Sequence, residues 1–164
     1  MVFRTLARLT GSREHIEDLA QEVFLRLFRG MQHFRGDASV STYLYRVVVN
    51  VAQDEWKRRR KERGFDSMSD EDLGWEERLA SPGDNAEHLL ARKQLSNLIE
   101  SAMTELSEAE RAVLVLYHQE ECSYEQISLA LDLPIGTVRT HLHRGRHKLK
   151  ERIQARMRPC VKTA

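Results

Sequence analysis

Ser107 and Ser123 each stand three residues ahead of a side chain, Glu110 and Gln126, that completes a helix-opening signature, and each directly precedes an apolar run. In such a capping box the serine hydroxyl accepts from the backbone N–H three residues on. The acidic or amide side chain returns to the serine's own N–H. Two helices are therefore expected, one in "EAERAVLVLYHQE" and one in "YEQISLAL". The "DLP" that follows reads as a turn, with Pro134 suited to the first position of a final helix. A short helix, a tight turn and a second helix rich in Arg, Thr and His form a helix-turn-helix pattern. The second helix of that motif enters the major groove of DNA and the first buttresses it.

Within this unit Ile127, Ala130, Leu131, Val138 and Leu142 are the expected core. The outward face then offers Thr137, Arg139, Thr140, His141, His143 and Arg144. Arginine reads guanine edges bidentately, and threonine meets either a base or a phosphate. Arg146, Lys148, Lys150 and Arg152 suit phosphates, which supply affinity without sequence information.

The rest of the chain is also helical by period. Ile16, Leu19, Ala20, Val23, Phe24, Leu27 and Phe28 recur at three-and-four spacing and form one expected helix face. Ser12 is placed to cap its start and Gly30 to follow its end. Upstream, "VFRTLARLTG" is a short helix ending at Gly11. Tyr43, Leu44, Val47, Val48, Val51, Ala52 and Trp56 mark a further helix that runs into "KRRRKER". The "VVV" within it suits a strand, but the helical face continues on both sides. A helix starting near Ala86 is amphipathic through Leu95, Leu98, Ile99 and Ala102.

Charge divides the chain where periodicity stops. Residues 1–63 carry 13 Lys/Arg against 8 Asp/Glu, 64–88 carry 1 against 8, and 89–164 carry 12 against 9. The last segment is itself polarised, with 9 basic residues and 1 acidic from Ile135 onward. A formal net charge of +1 thus hides a basic, acidic, basic order, and a polyanion responds to the local patch. The middle segment, with its glycines, serines and Pro82, reads as a flexible acidic linker. The expected fold is all-α: two small helical domains, 1–63 and 89–164, joined by a linker over 64–88, the second domain a helix-turn-helix.

No run approaches the roughly 18 apolar residues of a membrane span, and the N-terminus lacks the apolar core of a signal peptide. No membrane insertion is expected. Cys122 and Cys160 match no paired-metal spacing, so a reducing cytoplasm is the expected setting, with Cys122 an inert thiol. His143 and His147 lie four apart, a spacing open to a metal, but with no third ligand in the sequence no metal or cofactor is expected.

The stretch "SYEQISLALDLPIGTVRTHLHRGRHKLKERI" resembles the −35-binding domain of bacterial extracytoplasmic-function (ECF) sigma factors of the sigma-70 family. Their usual form is close to S-Y-x-E-I-A, then G-T-V-x-S-R-x-x-R-A-R-x-x-L. "EDLAQEVFLRLFR" resembles the helix with which they hold the β′ clamp helices of core RNA polymerase. "FRGDASVSTYLYRVVVNVAQDEWKRRR" resembles their −10-reading segment, F-R-G-D-x-x-F-x-T-W-L-Y-R-I-A-x-N. Order and spacing fit over nearly the whole chain.

The resemblance implies a dissociable initiation subunit, without catalytic residues, that lends core polymerase its promoter specificity. Asp18, Gln21, Glu22 and Leu25 would meet the polymerase. Phe34, Arg35, Asp37, Ser39, Thr42 and Asn50 would form or flank the pocket for a −10 base, with Arg46, Lys57 and Arg58 on phosphates. Holding an unstacked base calls for an aromatic wall, amides for its edge and cations for its backbone. The implied partners are core RNA polymerase, promoter DNA and an anti-sigma factor. Members usually begin with further helical residues, so the resemblance also implies that Met1 falls inside the first helix.

Some positions depart from the pattern. Tyr43 stands for the usual tryptophan, and Thr140-His141 for the usual Ser-Arg. Two other readings compete. "GTVRTHLHRGRHKLK" also fits a free-standing LuxR-type regulator, which leaves the first domain's segments unexplained. A recombinase or nuclease would need clustered nucleophiles or carboxylates, whereas Asp18, Glu22 and Asp54 are spread over two helices.

Overall fold

The computed structural model describes residues 1–34, 36, 38–62 and 86–157, with backbone alone at 86–89. Among them are seven helices and no strand: α1 (Val2–Thr10), α2 (Ile16–Met31), α3 (Val40–Glu62), α4 (Ala86–Thr104), α5 (Glu108–His118), α6 (Tyr124–Leu131) and α7 (Ile135–Met157). The all-α expectation holds, including the helix through the three valines. Most of the acidic segment expected as a linker lies outside the described residues; its last residues, from Ala86, open α4. No helix is long and apolar enough to cross a membrane, among the described residues.

Both capping boxes are present. The Ser107 and Ser123 hydroxyls accept from the Glu110 and Gln126 N–H groups, whose side chains return to the serine N–H groups. Asp132 ends α6 in the left-handed conformation, φ 53°. The Pro134 carbonyl then accepts from Thr137 and Val138, starting α7. Ile127, Ala130, Val138 and Leu142 are buried as expected, with Leu131 half-buried.

The ends of α2 differ from expectation. The helix opens at Ile16 after His15, which takes φ 55°, and no side chain caps it. Ser12 instead bonds the Glu14 N–H, because Gly11 (φ 67°) ends α1 and the chain needs residues 12–15 to turn back. Gly30 lies inside the last turn rather than beyond it. A Cβ there would fall on the Tyr43 hydroxyl, so this glycine serves close approach of α3, not a cap.

α1, α2 and α3 pack together, and α5, α6 and α7 form the second group, with α4 against α7. The two groups share one continuous core, because α3 packs on α6 and α1 on α5. α3 is consequently buried on two sides: Val47, Val48, Val51 and Ala52 as expected, but also Tyr45 and Val49. Polar ties line the seam. Buried Arg111 donates to the Leu9 carbonyl at 3.0 Å and the Thr104 carbonyl at 2.7 Å, and its guanidinium lies 5.7 Å from the Trp56 ring. The Glu120 carboxylate, its side chain 4 % exposed, accepts from Thr5 at 2.7 Å and Gln119 at 2.7 Å.

Candidate functional site

On α2, Asp18, Gln21 and Leu25 are exposed and Glu22 is half-exposed. Glu22 accepts from Arg26 at 2.6 Å, and Arg26 bridges to Asp54 of α3 at 2.7 Å. The same surface holds two residues expected in the core: Phe24 is 50 % and Phe28 is 71 % exposed. Only Ala20 and Val23 are fully buried on this helix. The signal was present in the sequence. At about 100° per residue the seven apolar positions span about 180°, wider than a core-facing stripe needs, and Phe24 and Phe28 sit at one rim. With Met31 they make an exposed apolar strip beside an acidic and amide one.

Around the start of α3, Phe34 is half-buried with its ring 5.4 Å from that of Tyr43. Ser39 accepts from the Thr42 N–H at 3.1 Å, and Thr42 is buried. Both therefore shape the helix start in this arrangement. Arg35 and Asp37 lie outside the described residues. Arg46, Asn50 and Lys57 are exposed along one face of α3 at helical spacing. Arg46 donates to the Leu129 carbonyl of α6 at 2.8 Å, and Lys57 stands 3.9 Å from Asp54. Arg58 is bound by Glu55 and Glu62, at 2.8 Å each.

α7 presents Arg139, Thr140, His143 and Arg144 to solvent, with Thr137 and His141 half-buried. The Thr140 hydroxyl donates to the Gly136 carbonyl at 2.9 Å, and His141 keeps its Nδ1 buried. Two of the expected phosphate contacts turn toward α5. Arg146 Nε donates to His118 Nε2 at 3.0 Å; burial and then the Arg146 charge hold that imidazole's pKa down. Lys148 bonds the buried Glu110 carboxylate at 2.8 and 2.9 Å. Burial pushes the Glu110 pKa up, but the bonds from Lys148 and Ser107 outweigh it, and the net direction is down.

Cys122 is buried, and desolvation followed by the Glu120 charge pushes its thiol up to about 11. No group of three metal-ligating side chains occurs among the described residues. The described surfaces thus comprise an apolar-acidic strip on α2, a cationic and amide strip on α3, and a basic helix-turn-helix face on α7.

Residues 1–62 match the family model for sigma-70 region 2, and residues 96–149 that for sigma-70 region 4. The chain is 30% identical over 148 residues to the ECF RNA polymerase sigma-E factor of Escherichia coli strain K12, covering 87% of this chain and 76% of that protein. It is 29% identical over 155 residues to the ECF RNA polymerase sigma factor SigW of Bacillus subtilis, covering 93% and 83%. Among solved structures, the sigma factor RpoE bound to the anti-sigma factor NepR from Bartonella quintana aligns with a TM-score of 0.72 at 18% identity, over 93% of this chain and 89% of that one. CnrH in complex with the cytosolic domain of CnrY aligns with a TM-score of 0.65 at 20% identity, over 94% and 81%. Both sequence-level matches fall on the helices that carry the three surfaces, and the chain belongs to the ECF RNA polymerase sigma factors of the sigma-70 family, which direct transcription initiation.

Proposed function

We propose that this sigma factor works by dividing initiation between its helices, and that the exposed α2 strip carries the reading. Large apolar side chains grouped on the outside of a folded unit mark a partner surface. Phe24, Leu25 and Phe28, flanked by Asp18, Gln21 and Glu22, suit a partner that pairs apolar anchors with basic groups. The clamp helices of the polymerase β′ subunit are the proposed partner. Phe34, ahead of α3, supplies the wall for a −10 base, and α3 supplies the Asn50 amide, with Arg46 and Lys57 on the base's backbone. Ser39 and Thr42 shape the start of α3, and Arg35 and Asp37 flank the same pocket. Arg58 joins the phosphate contacts after leaving Glu55 and Glu62.

The C-terminal domain, residues 89–164, reads the −35 element with Thr137, Arg139, Thr140, His141, His143 and Arg144. Arg146 and Lys148 bind phosphates from positions set by α5. The N-terminal domain comprises residues 1–63, and residues 64–88 link the two. The chain itself catalyses nothing, acts in the cytoplasm, and is held in check by an anti-sigma factor; the named complexes of its structural neighbours support that last partner.

Sequencing of transcript starts, made by core polymerase and this chain from fragmented bacterial DNA, tests the division of labour. A shared two-part sequence upstream of the starts is expected. Asn50→Ala should then slow permanganate-detected melting while leaving −35 binding intact; loss of both together would remove Asn50 from the −10 pocket.

A further inference from the structure

Two arginines on α7, Arg139 and Arg146, lie two helical turns apart, and each rests over a tyrosine from a neighbouring helix. The Arg139 guanidinium stands 5.6 Å from the ring of Tyr124, the first residue of α6. The Arg146 guanidinium stands 5.0 Å from the ring of Tyr117 on α5. The two rings are themselves stacked, 5.4 Å apart and inclined by only 17°. His118 closes the far end, edge-on to Tyr117 at 5.0 Å and accepting from Arg146 Nε. The order Arg139, Tyr124, Tyr117, Arg146 is therefore a continuous ladder beneath the DNA-facing side of α7.

A guanidinium over an aromatic face is attracted to the ring, and a planar cation loses orientational freedom there. An arginine already ordered in the free protein has less freedom to lose when it meets a base or phosphate. We infer that Tyr124 and Tyr117 are positioning residues for promoter recognition: their stacked rings preset Arg139 for a base edge and, with His118, Arg146 for the backbone. The inference rests on the proposed −35 role of α7.

The test uses the full chain bound to core polymerase and a duplex library randomised over the −35 region, with bound DNA sequenced to give affinity and base preference together. Tyr124→Leu should cost about 5–10-fold for the preferred sequence, at about 1.4 kcal/mol per tenfold. It should flatten preference at the positions that Arg139→Ala flattens, while Tyr124→Phe, which keeps the ring, restores both. In the Arg139→Ala background Tyr124→Leu should flatten nothing further. An unchanged preference in Tyr124→Leu, an even loss at every position, or no rescue by Phe overturns the positioning role. No sequence selected by the wild-type complex overturns the −35 reading itself, a distinct result. A measurement without variants guards against misfolding: in the DNA-free chain, ¹⁵N relaxation should find the Arg139 Nε–H more ordered than that of exposed Arg144. Equal mobility of the two overturns the proposal.

Discussion

Lys148 of α7 reaches back to Glu110 of α5, its Nζ 2.8 and 2.9 Å from the two carboxylate oxygens. Glu110 also accepts from the Ser107 N–H that opens α5, so one buried carboxylate ties the start of α5 to α7.

Removing the cation alone strands that carboxylate. The pair has one buried and one half-exposed end, between the surface and buried limits for ion pairs. Lys148→Met should therefore cost about 1–2 kcal/mol in urea unfolding at pH 7. The Glu110 pKa is depressed in the fold, so its contribution is present above the ordinary carboxylate value of 4.5 and lost as pH falls through the folded value. The variant should show a flatter acid dependence; parallel curves would deny the coupling.

Gly145 marks where α7 crosses α5. A Cβ there would lie 2.9 Å from Leu114 Cδ1 and 3.4 Å from Glu110 Cβ, both on buried residues. Gly145→Ala should cost about 1–3 kcal/mol through overpacking. At Gly136 nothing lies within 4 Å, and alanine should stabilise by up to about 1 kcal/mol. Thermal melts of the two variants should shift in opposite directions.

Glu100 titrates against the fold. Burial is the main cause raising its pKa to about 7, and its Oε2 is buried without a partner. A raised carboxyl destabilises the folded state progressively as pH rises from about 4.5, where the unfolded chain ionises, to about 7 and beyond. Glu100→Gln should raise stability by about 1 kcal/mol at pH 8, after allowing for solvent screening, and change little at pH 4. An equal effect at both values would contradict the assignment.

These residues also mark how far the sequence could be read. Local chemistry was legible: Ser107 and Ser123 open helices and Gly11 ends one as their types predict, and Ile127, Ala130, Val138 and Leu142 form the small core. Features set by packing between distant segments were not. Tyr45 and Val49 continue the face of Ala52 and Trp56 at three- and four-residue spacing, but how wide that face becomes depends on α1, α2 and α6 all packing on α3. Gly30 reads as a cap until Tyr43 is seen to occupy the space of its missing Cβ. On α2, Phe24 and Phe28 share the three-and-four spacing of the buried positions, and only their place at the rim of an over-wide apolar stripe sets them apart. On α7 the cations are plain in the sequence, but which of them turn toward Glu110 and His118 depends on α5.

Phe28 is the sharpest single test of the proposed docking strip. Its exposure means that Phe28→Ser should leave the thermal midpoint nearly unchanged. The loss of an apolar anchor from an interface should weaken association with core polymerase at least about tenfold. Unchanged affinity in a titration would move the interface off this face.

This chain acts as a polymerase subunit rather than a free-standing DNA-binding regulator. Gel filtration of the folded chain with purified bacterial core RNA polymerase tests it most directly. Stoichiometric co-elution, reduced by Gln21→Ala with Glu22→Ala and by Phe28→Ser, is the predicted result. A folded wild-type chain that elutes apart from core, while still binding duplex DNA, would contradict the account.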